Sequence, residues 1–227
     1  MRVLTWNLYH GRAVPPAGRD LLAEFAAALA VWDWDVALLQ EVPPWWPPAL
    51  AQACDAQQRT VLTSRNSLPA LRRAIATRAP DLIKSNGGGA NAILVRGTRT
   101  VIAHHRLLLR RWPERRVCHA VTLADGTCCA NLHAQVHSPS RAGADIARAA
   151  AATLAWAAGR PALLGGDFNV RDPTAPGFER LGGRGVDHVL GHGLSSTGEP
   201  PIPDRGELSD HVPVLVDALP QRGTASG

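Results

Sequence analysis

The chain has 227 residues, 45% of them apolar and 19% charged, which suits one packed domain or two small ones and excludes a disordered chain. Its formal charge of +5 favours anionic partners such as nucleic acid or phosphorylated small molecules; the positive charge is nearly all Arg, Lys84 being the single Lys, so base composition of the coding DNA is the competing explanation. No run is long and apolar enough to span a membrane, and the strand pattern that starts at Val3 is read as leaving no room for a signal peptide, which predicts a cytoplasmic protein.

In chain order, Val3 to Leu8 is a short β-like run, punctuated by Pro15, Pro16 and Gly18. Leu21, Leu22, Phe25 and Leu29 recur at helical spacing. Val36 to Gln40 reads as a buried strand ending at Glu41, followed by a Pro/Trp loop over 43–48 and a helix to about Ala56. Val61 to Thr63 is a further strand candidate, and Leu68, Leu71 and Ile75 suggest a short helix. Gly87-Gly88-Gly89 is a turn leading into a strand over Asn91 to Val95. Three β runs follow around 100–109, 115–123 and 127–133, the last two joined by the hairpin signal Asp125-Gly126. Arg141 to Ala158 is Ala-rich and helical, and Pro161 to Leu164 is a strand expected to stop at Gly165-Gly166. Val186 to Leu190 and Val212 to Val216 complete the set. Mixed strands and helices with several hairpins predict one layered α/β (α+β) domain over residues 1–219, with a flexible tail over 220–227.

Cys54, Cys118, Cys128 and Cys129 form no C-x-x-C pair, and adjacent Cys128 and Cys129 point to opposite faces of a strand. All four are expected to be reduced, mostly buried thiols.

Acidic, amide and imidazole residues gather where apolar strands end: Asn7, Glu41, Asp167 with Asn169, and Asp210-His211 ahead of Val212. Strand ends are rigid mounts, and carboxylates collected there repel one another unless a cation neutralises them. Oxygen donors with an amide among them suit Mg²⁺ or Mn²⁺ rather than zinc. A hard cation beside histidines suits phosphoryl chemistry. Any one of these residues alone is better explained as a helix cap or turn; the constellation carries the functional reading.

Leu4-Thr5-Trp6-Asn7, Leu38-Leu39-Gln40-Glu41-Val42, Gly166-Asp167-Phe168-Asn169 and Leu208-Ser209-Asp210-His211-Val212-Pro213-Val214 resemble, in order, the signatures of the endonuclease/exonuclease/phosphatase family, which includes DNase I-like nucleases. Asn131-Leu132-His133 resembles its Asn-Thr-His motif with Leu for Thr, and Val186-Asp187-His188-Val189-Leu190 resembles its Ile-Asp-Tyr-Ile strand. The resemblance implies a four-layer αββα sandwich of two packed, mainly antiparallel sheets. Carried over position by position, it implies Asn7, Glu41 and Asp210 as holders of Mg²⁺ or Mn²⁺. By the same resemblance, Asp167 would orient or deprotonate the attacking water and Asn169 would hydrogen-bond the water or a phosphate oxygen. His211 would face the scissile phosphate, with Asp187 fixing its tautomer and His133 as a second phosphate-side histidine.

Arg116 is a further candidate for the substrate phosphate, against a solvated strand face; Asn91 is a candidate to line the pocket, against a turn role. Arg106, Arg110 and Arg111 add charge that suits a nucleic-acid backbone. Trp45 and Trp46 either stack on a base or pack against the fold. The other histidines, His10 among them, show no metal-ligand spacing. The absence of a P-loop ending and of a Gly-x-Ser-x-Gly elbow argues against a nucleotide cradle and a serine hydrolase. The sequence therefore predicts a monomeric, metal-dependent phosphodiesterase acting on DNA or RNA. A phosphatase or phosphodiesterase of inositol phosphates, lipid headgroups or nucleotides is the alternative, and a silent binding module is the remaining one.

Overall fold

The computed structural model describes residues 1–198 and 200–221. Its elements are β1 (Arg2–Asn7), α1 (Leu22–Val31), β2 (Val36–Val42), α2 (Pro47–Ala53), β3 (Ala56–Leu62), α3 (Pro69–Arg78), α4 (Pro80–Ile83), β4 (Ala90–Arg96), β5 (Val101–Arg110), β6 (Arg116–Leu123), β7 (Cys128–His133), α5 (Pro139–Ala157), β8 (Ala162–Asp167), β9 (Glu179–Arg184), β10 (Asp187–His192), β11 (Leu194–Ser196) and β12 (Val214–Pro220). They form two six-stranded sheets, ordered β11-β12-β1-β2-β4-β3 and β5-β6-β7-β8-β10-β9. Among the described residues, only β1 with β2 and β7 with β8 run parallel; the other pairs are antiparallel.

The continuous apolar runs follow from burial on both faces of a sheet. In β2, Val36 and Leu38 join an inter-sheet core with Ile93, Val121 and Leu163, while Ala37 and Leu39 join Phe25, Leu29 and Leu50 beneath α1 and α2. In β7, Cys128, Ala130 and Leu132 face α5, and Cys129 faces the other sheet. The two neighbouring thiols thus sit on opposite faces, and all four cysteines are free and buried. Helices, sheet, sheet and helix make the four-layer αββα sandwich.

Pro139 at the start of α5 moves that helix two residues ahead of Arg141, because a proline fits a first turn whose N–H groups lack helical partners. Small side chains at Ala142, Ala149, Ala150 and Ala157, with Ile146, form its buried face. α3 forms where its apolar spacing predicts, yet Leu68, Leu71 and Ile75 remain exposed. Spacing fixes which residues share a face; it does not say that the face is covered.

A polar staple ties the sheets together close to the strand ends. Gln40 Nε2 donates to Asn131 Oδ1 at 2.8 Å, and Asn131 Nδ2 donates to Leu39 O and Ala92 O, both at 2.9 Å. These residues are fully buried, so each bond replaces water the amides have lost.

β8 does not stop at Gly165-Gly166 as expected; it continues through them to Asp167. A Cβ on Gly166 would lie 1.8 Å from Leu132 O, and its φ of 144° suits glycine alone. A Cβ on Gly165 would meet Leu38 Cδ1 at 2.7 Å. The glycines therefore mark close packing of β8 against β7 and the opposite sheet, not a strand end. Gly166→Ala should lower unfolding stability by about 3 kcal/mol or more, measured by urea denaturation, because the contact is with backbone that cannot rotate away.

The first two residues of the expected flexible tail, Pro220 and Gln221, are held in the fold. Pro220 pairs with Leu194, and Gln221 N donates to Gly193 O at 3.0 Å; residues 222–227 lie outside the described residues. Among the described residues no helix is long and apolar enough to cross a membrane.

Candidate active site

Topology brings the predicted residues to one edge. β1 and β2 are parallel and end together, at Asn7 and beside Glu41; β7 and β8 are parallel and end at His133 and Asp167. β10 is antiparallel to β8 and starts with Asp187 opposite Asp167. β12 is antiparallel to β1, so the segment entering it carries Asp210 and His211 to the same edge. A cleft of about 270 Å³ opens there, lined among others by Asn7, Glu41, Arg116, His133, Asp167, Asn169, Asp210 and His211.

Asp167 is the hub. Its Oδ2 accepts from Asn7 Nδ2 at 3.0 Å and its Oδ1 from the Asn169 amide at 2.9 Å. His133 Nε2 lies 3.6 Å and His211 Nε2 3.9 Å from Oδ2. Burial, then the charge of Asp187, push the Asp167 carboxyl up to about 7 against the pull of His211 and its two amide donors.

His211 Nδ1 and Asp187 Oδ2 are 2.7 Å apart. Burial opposes charge on this imidazole, but the hydrogen bond to Asp187 and the charges of Asp187, Asp167 and Asp210 outweigh it and raise His211 to about 9. His133 goes the other way: burial, then Arg116, His10 and His211, hold it well below 6.5 and neutral. Asp167, Asp187 and His211 offer donors within 4.8 Å of one another, a spacing open to a cation, and the hydrogen bond commits His211 Nδ1 to Asp187.

The backbone behind His211 is anchored. Ser209 Oγ donates to Asn7 O at 2.7 Å and accepts from the His211 amide at 3.0 Å, while Trp6 Nε1 donates to His211 O at 3.1 Å. Trp6 is wholly buried, so the core of one sheet fixes the position of the imidazole. Asn169 adds a bond from Nδ2 to Ala134 O at 3.0 Å, holding the β8 exit against the β7 exit.

In the metal-free protein, His211 should titrate near pH 9 by imidazole NMR, and Asp187→Asn should bring it back towards 6.5. Because the folded-state value is the raised one, the stability that this imidazolium contributes is fully present below about pH 6.5 and is lost as pH rises through about 9.

Asn91 is a correction. It was expected in the pocket but is fully buried between the sheets, where Nδ2 donates to Val117 O at 3.3 Å. Strand alternation puts Asn91 on the inward face of β4 with Ile93 and Val95. Arg116 does line the cleft, buried, with Nη2 bonded to Glu114 and Nε without a protein partner. Glu114 also binds Arg65 at 2.9 Å, and both residues line the cleft. Arg110 is taken by the buried Asp145 at 3.1 Å. Trp46 is core and Trp45 packs against it.

His10 was missed. It lines the cleft, with Nε2 3.1 Å from Glu41 Oε2. The available signal was its place three residues after Asn7 and just before Gly11, whose φ of 75° turns the chain back.

Fold and site together define a two-sheet sandwich with a hydrolase-type cleft at one edge. The chain belongs to the Endonuclease/Exonuclease/phosphatase family, whose model matches residues 4–211. It is similar in fold to a conserved protein of unknown function from Enterococcus faecalis V583, at 15% identity and a TM-score of 0.72, covering 97% of this chain and 100% of that one. It is likewise similar to the mannosyl-6-phosphatase Bt3783 of Bacteroides thetaiotaomicron VPI-5482, at 15% identity and 0.69, covering 96% and 99%. TDP2 from Caenorhabditis elegans matches at 15% identity and 0.65, covering 95% of this chain and 73% of that one. No curated protein sequence matches the chain. Family membership points to hydrolytic phosphoesterase chemistry.

Proposed function

We propose that this protein is a divalent-metal-dependent phosphodiesterase that hydrolyses DNA or RNA by in-line attack of water. The observation that carries the reading is the convergence of Asp167 and the Asp187–His211 pair with Glu41 in one cleft.

The donor set fits a hard cation. Glu41 and Asp210 offer carboxylates and Asn7 an amide oxygen, all lining the cleft. These three residues would hold Mg²⁺ or Mn²⁺, which when bound supplies charge neutralisation at phosphate oxygens. The protein's own groups do the rest. Asp167, held on both oxygens, orients the attacking water and takes its proton. Asn169 aligns that water or a phosphate oxygen. His211 stays imidazolium at neutral pH and faces negative charge building on the phosphoryl group, with Asp187 fixing the ring. Neutral His133 contributes a second phosphate-side contact, and Arg116 a fixed guanidinium.

The nucleic-acid assignment draws on the Arg-rich net charge of +5. A small phosphorylated headgroup or sugar is the second reading, favoured by the guanidinium groups of Arg65 and Arg116, which line the cleft and are both bonded to Glu114. The test is a panel of single-stranded, duplex and abasic DNA, RNA, phosphoinositides and sugar phosphates, with Mg²⁺, with Mn²⁺ and with chelator. Chelator-sensitive cleavage of a nucleic acid is expected. Turnover confined to phosphomonoesters overturns the phosphodiesterase assignment, and cleavage untouched by chelator overturns the metal dependence.

A further inference from the structure

The geometry points to His10 as a nitrogen ligand to the metal, paired with Glu41, which makes this a mixed nitrogen–oxygen site that prefers Mn²⁺ to Mg²⁺. The inference rests on the metal-dependent reading above and adds the ion's identity.

Hydrogen-bond accounting comes first. His10 Nδ1 lies 3.2 Å from Gly88 O, a carbonyl that can only accept, so Nδ1 carries the hydrogen. Nε2 is then the ring's free lone pair, and it faces the cleft 3.1 Å from Glu41 Oε2, which also only accepts. Two acceptors this close repel unless something positive lies between or beside them. A second ring hydrogen is one way to meet that need, but the Nε2–Oε2 contact is not aligned as a hydrogen bond. A shared cation is the other. Two donors at about 2.1–2.2 Å from one ion, in neighbouring positions of an octahedron, are roughly 3.0–3.1 Å from each other.

The backbone supports the same reading. Tyr9, His10 and Gly11 have φ of 50°, 55° and 75°, and Glu41 has φ of 51°. A left-handed conformation is costly for a non-glycine residue, and such strain collects where a side chain must be aimed. Gly11 is pinned as well, since a Cβ there would lie 2.4 Å from Trp46 Cη2. A left-handed turn after β1 and an irregularity within the neighbouring strand β2 thus aim an imidazole and a carboxylate at the same point. Gly88 O, on the loop before β4, fixes the ring's orientation as partners of ligating imidazoles commonly do.

The chemical consequence is selectivity. Mg²⁺ favours oxygen donors and keeps its waters, whereas an imidazole nitrogen favours a first-row transition ion. Metal binding to the full chain, stripped with chelator, can be followed by Mn²⁺ electron paramagnetic resonance with Mg²⁺ as competitor. The wild type should show ¹⁴N coupling from a directly bound imidazole. His10→Ala should lose that coupling and about 10–100-fold in Mn²⁺ affinity, with Mg²⁺ affinity changed by less than about threefold. His10→Gln, which replaces nitrogen with an oxygen donor, should lose the coupling while narrowing the Mn²⁺ preference, and thermal melts check that both variants fold. No Mn²⁺ binding by the wild type, unchanged coupling in both variants, or equal weakening of both ions would overturn the assignment. Mn²⁺ bound through His10 without hydrolysis of any phosphoester would leave it standing and overturn the proposed function instead.

Discussion

His211→Ala is expected to lower turnover of a phosphodiester substrate by about 10²–10⁴-fold, the usual cost of removing a positioned acid or charge stabiliser, while circular dichroism and the melting transition stay close to wild type. The side chain is partly exposed and contributes little to the core; what anchors this segment is main chain, through Ser209 and Trp6. Loss of the imidazole therefore removes the cation at the cleft without collapsing its support. Asp187→Asn separates charge from geometry. It keeps the shape and the hydrogen-bonding capacity but withdraws the carboxylate that raises His211, so activity should fall and the alkaline limb of the rate profile should move down from about pH 9. Near-normal turnover in His211→Ala would exclude the imidazolium from the reaction.

Asp167→Asn should cost a similar factor, about 10²–10⁴-fold, for a different reason. The substitution conserves volume at a buried position, and an amide cannot take a proton from water. It also faces Asn7 Nδ2 and the Asn169 amide, so whichever way it is turned its NH₂ group meets a donor and one bond is lost. The expected pattern is a fall in kcat much larger than any rise in KM, because substrate phosphate does not depend on this oxygen for binding. A variant whose KM alone changed would make Asp167 a substrate contact and not the group that handles water.

The strand-end residues were legible because short apolar runs stop abruptly at polar groups, and sheet topology then had only one edge at which to gather them. Asn7, Glu41, His133, Asp167, Asp210 and His211 lie together for that reason. Asn91 misled because a polar residue at the start of a strand looks the same whether its side chain faces a cleft or the opposite sheet; only the phase of β4 decides. β9 escaped notice since Glu-Arg-Leu-Gly-Gly-Arg has no alternation, and its pairing with β10 comes from backbone bonds. Glycines near Asp167 read as a break because local sequence cannot report how close another strand approaches. His10 was hidden for a related reason: its ring reaches Glu41 through three left-handed residues, a path that no regular period describes.

The placement of β1 between β2 and β12 also ties the two ends of the described fold to the cleft. Met1 is bonded to Ala218, and Arg2 to Asp217, so the earliest strand waits for the latest one before its sheet is complete. Asp210 and His211 travel on the lead-in to that late strand. Completing that sheet and delivering those two residues to the cleft are therefore one event, and a chain in which β12 is detached loses both together.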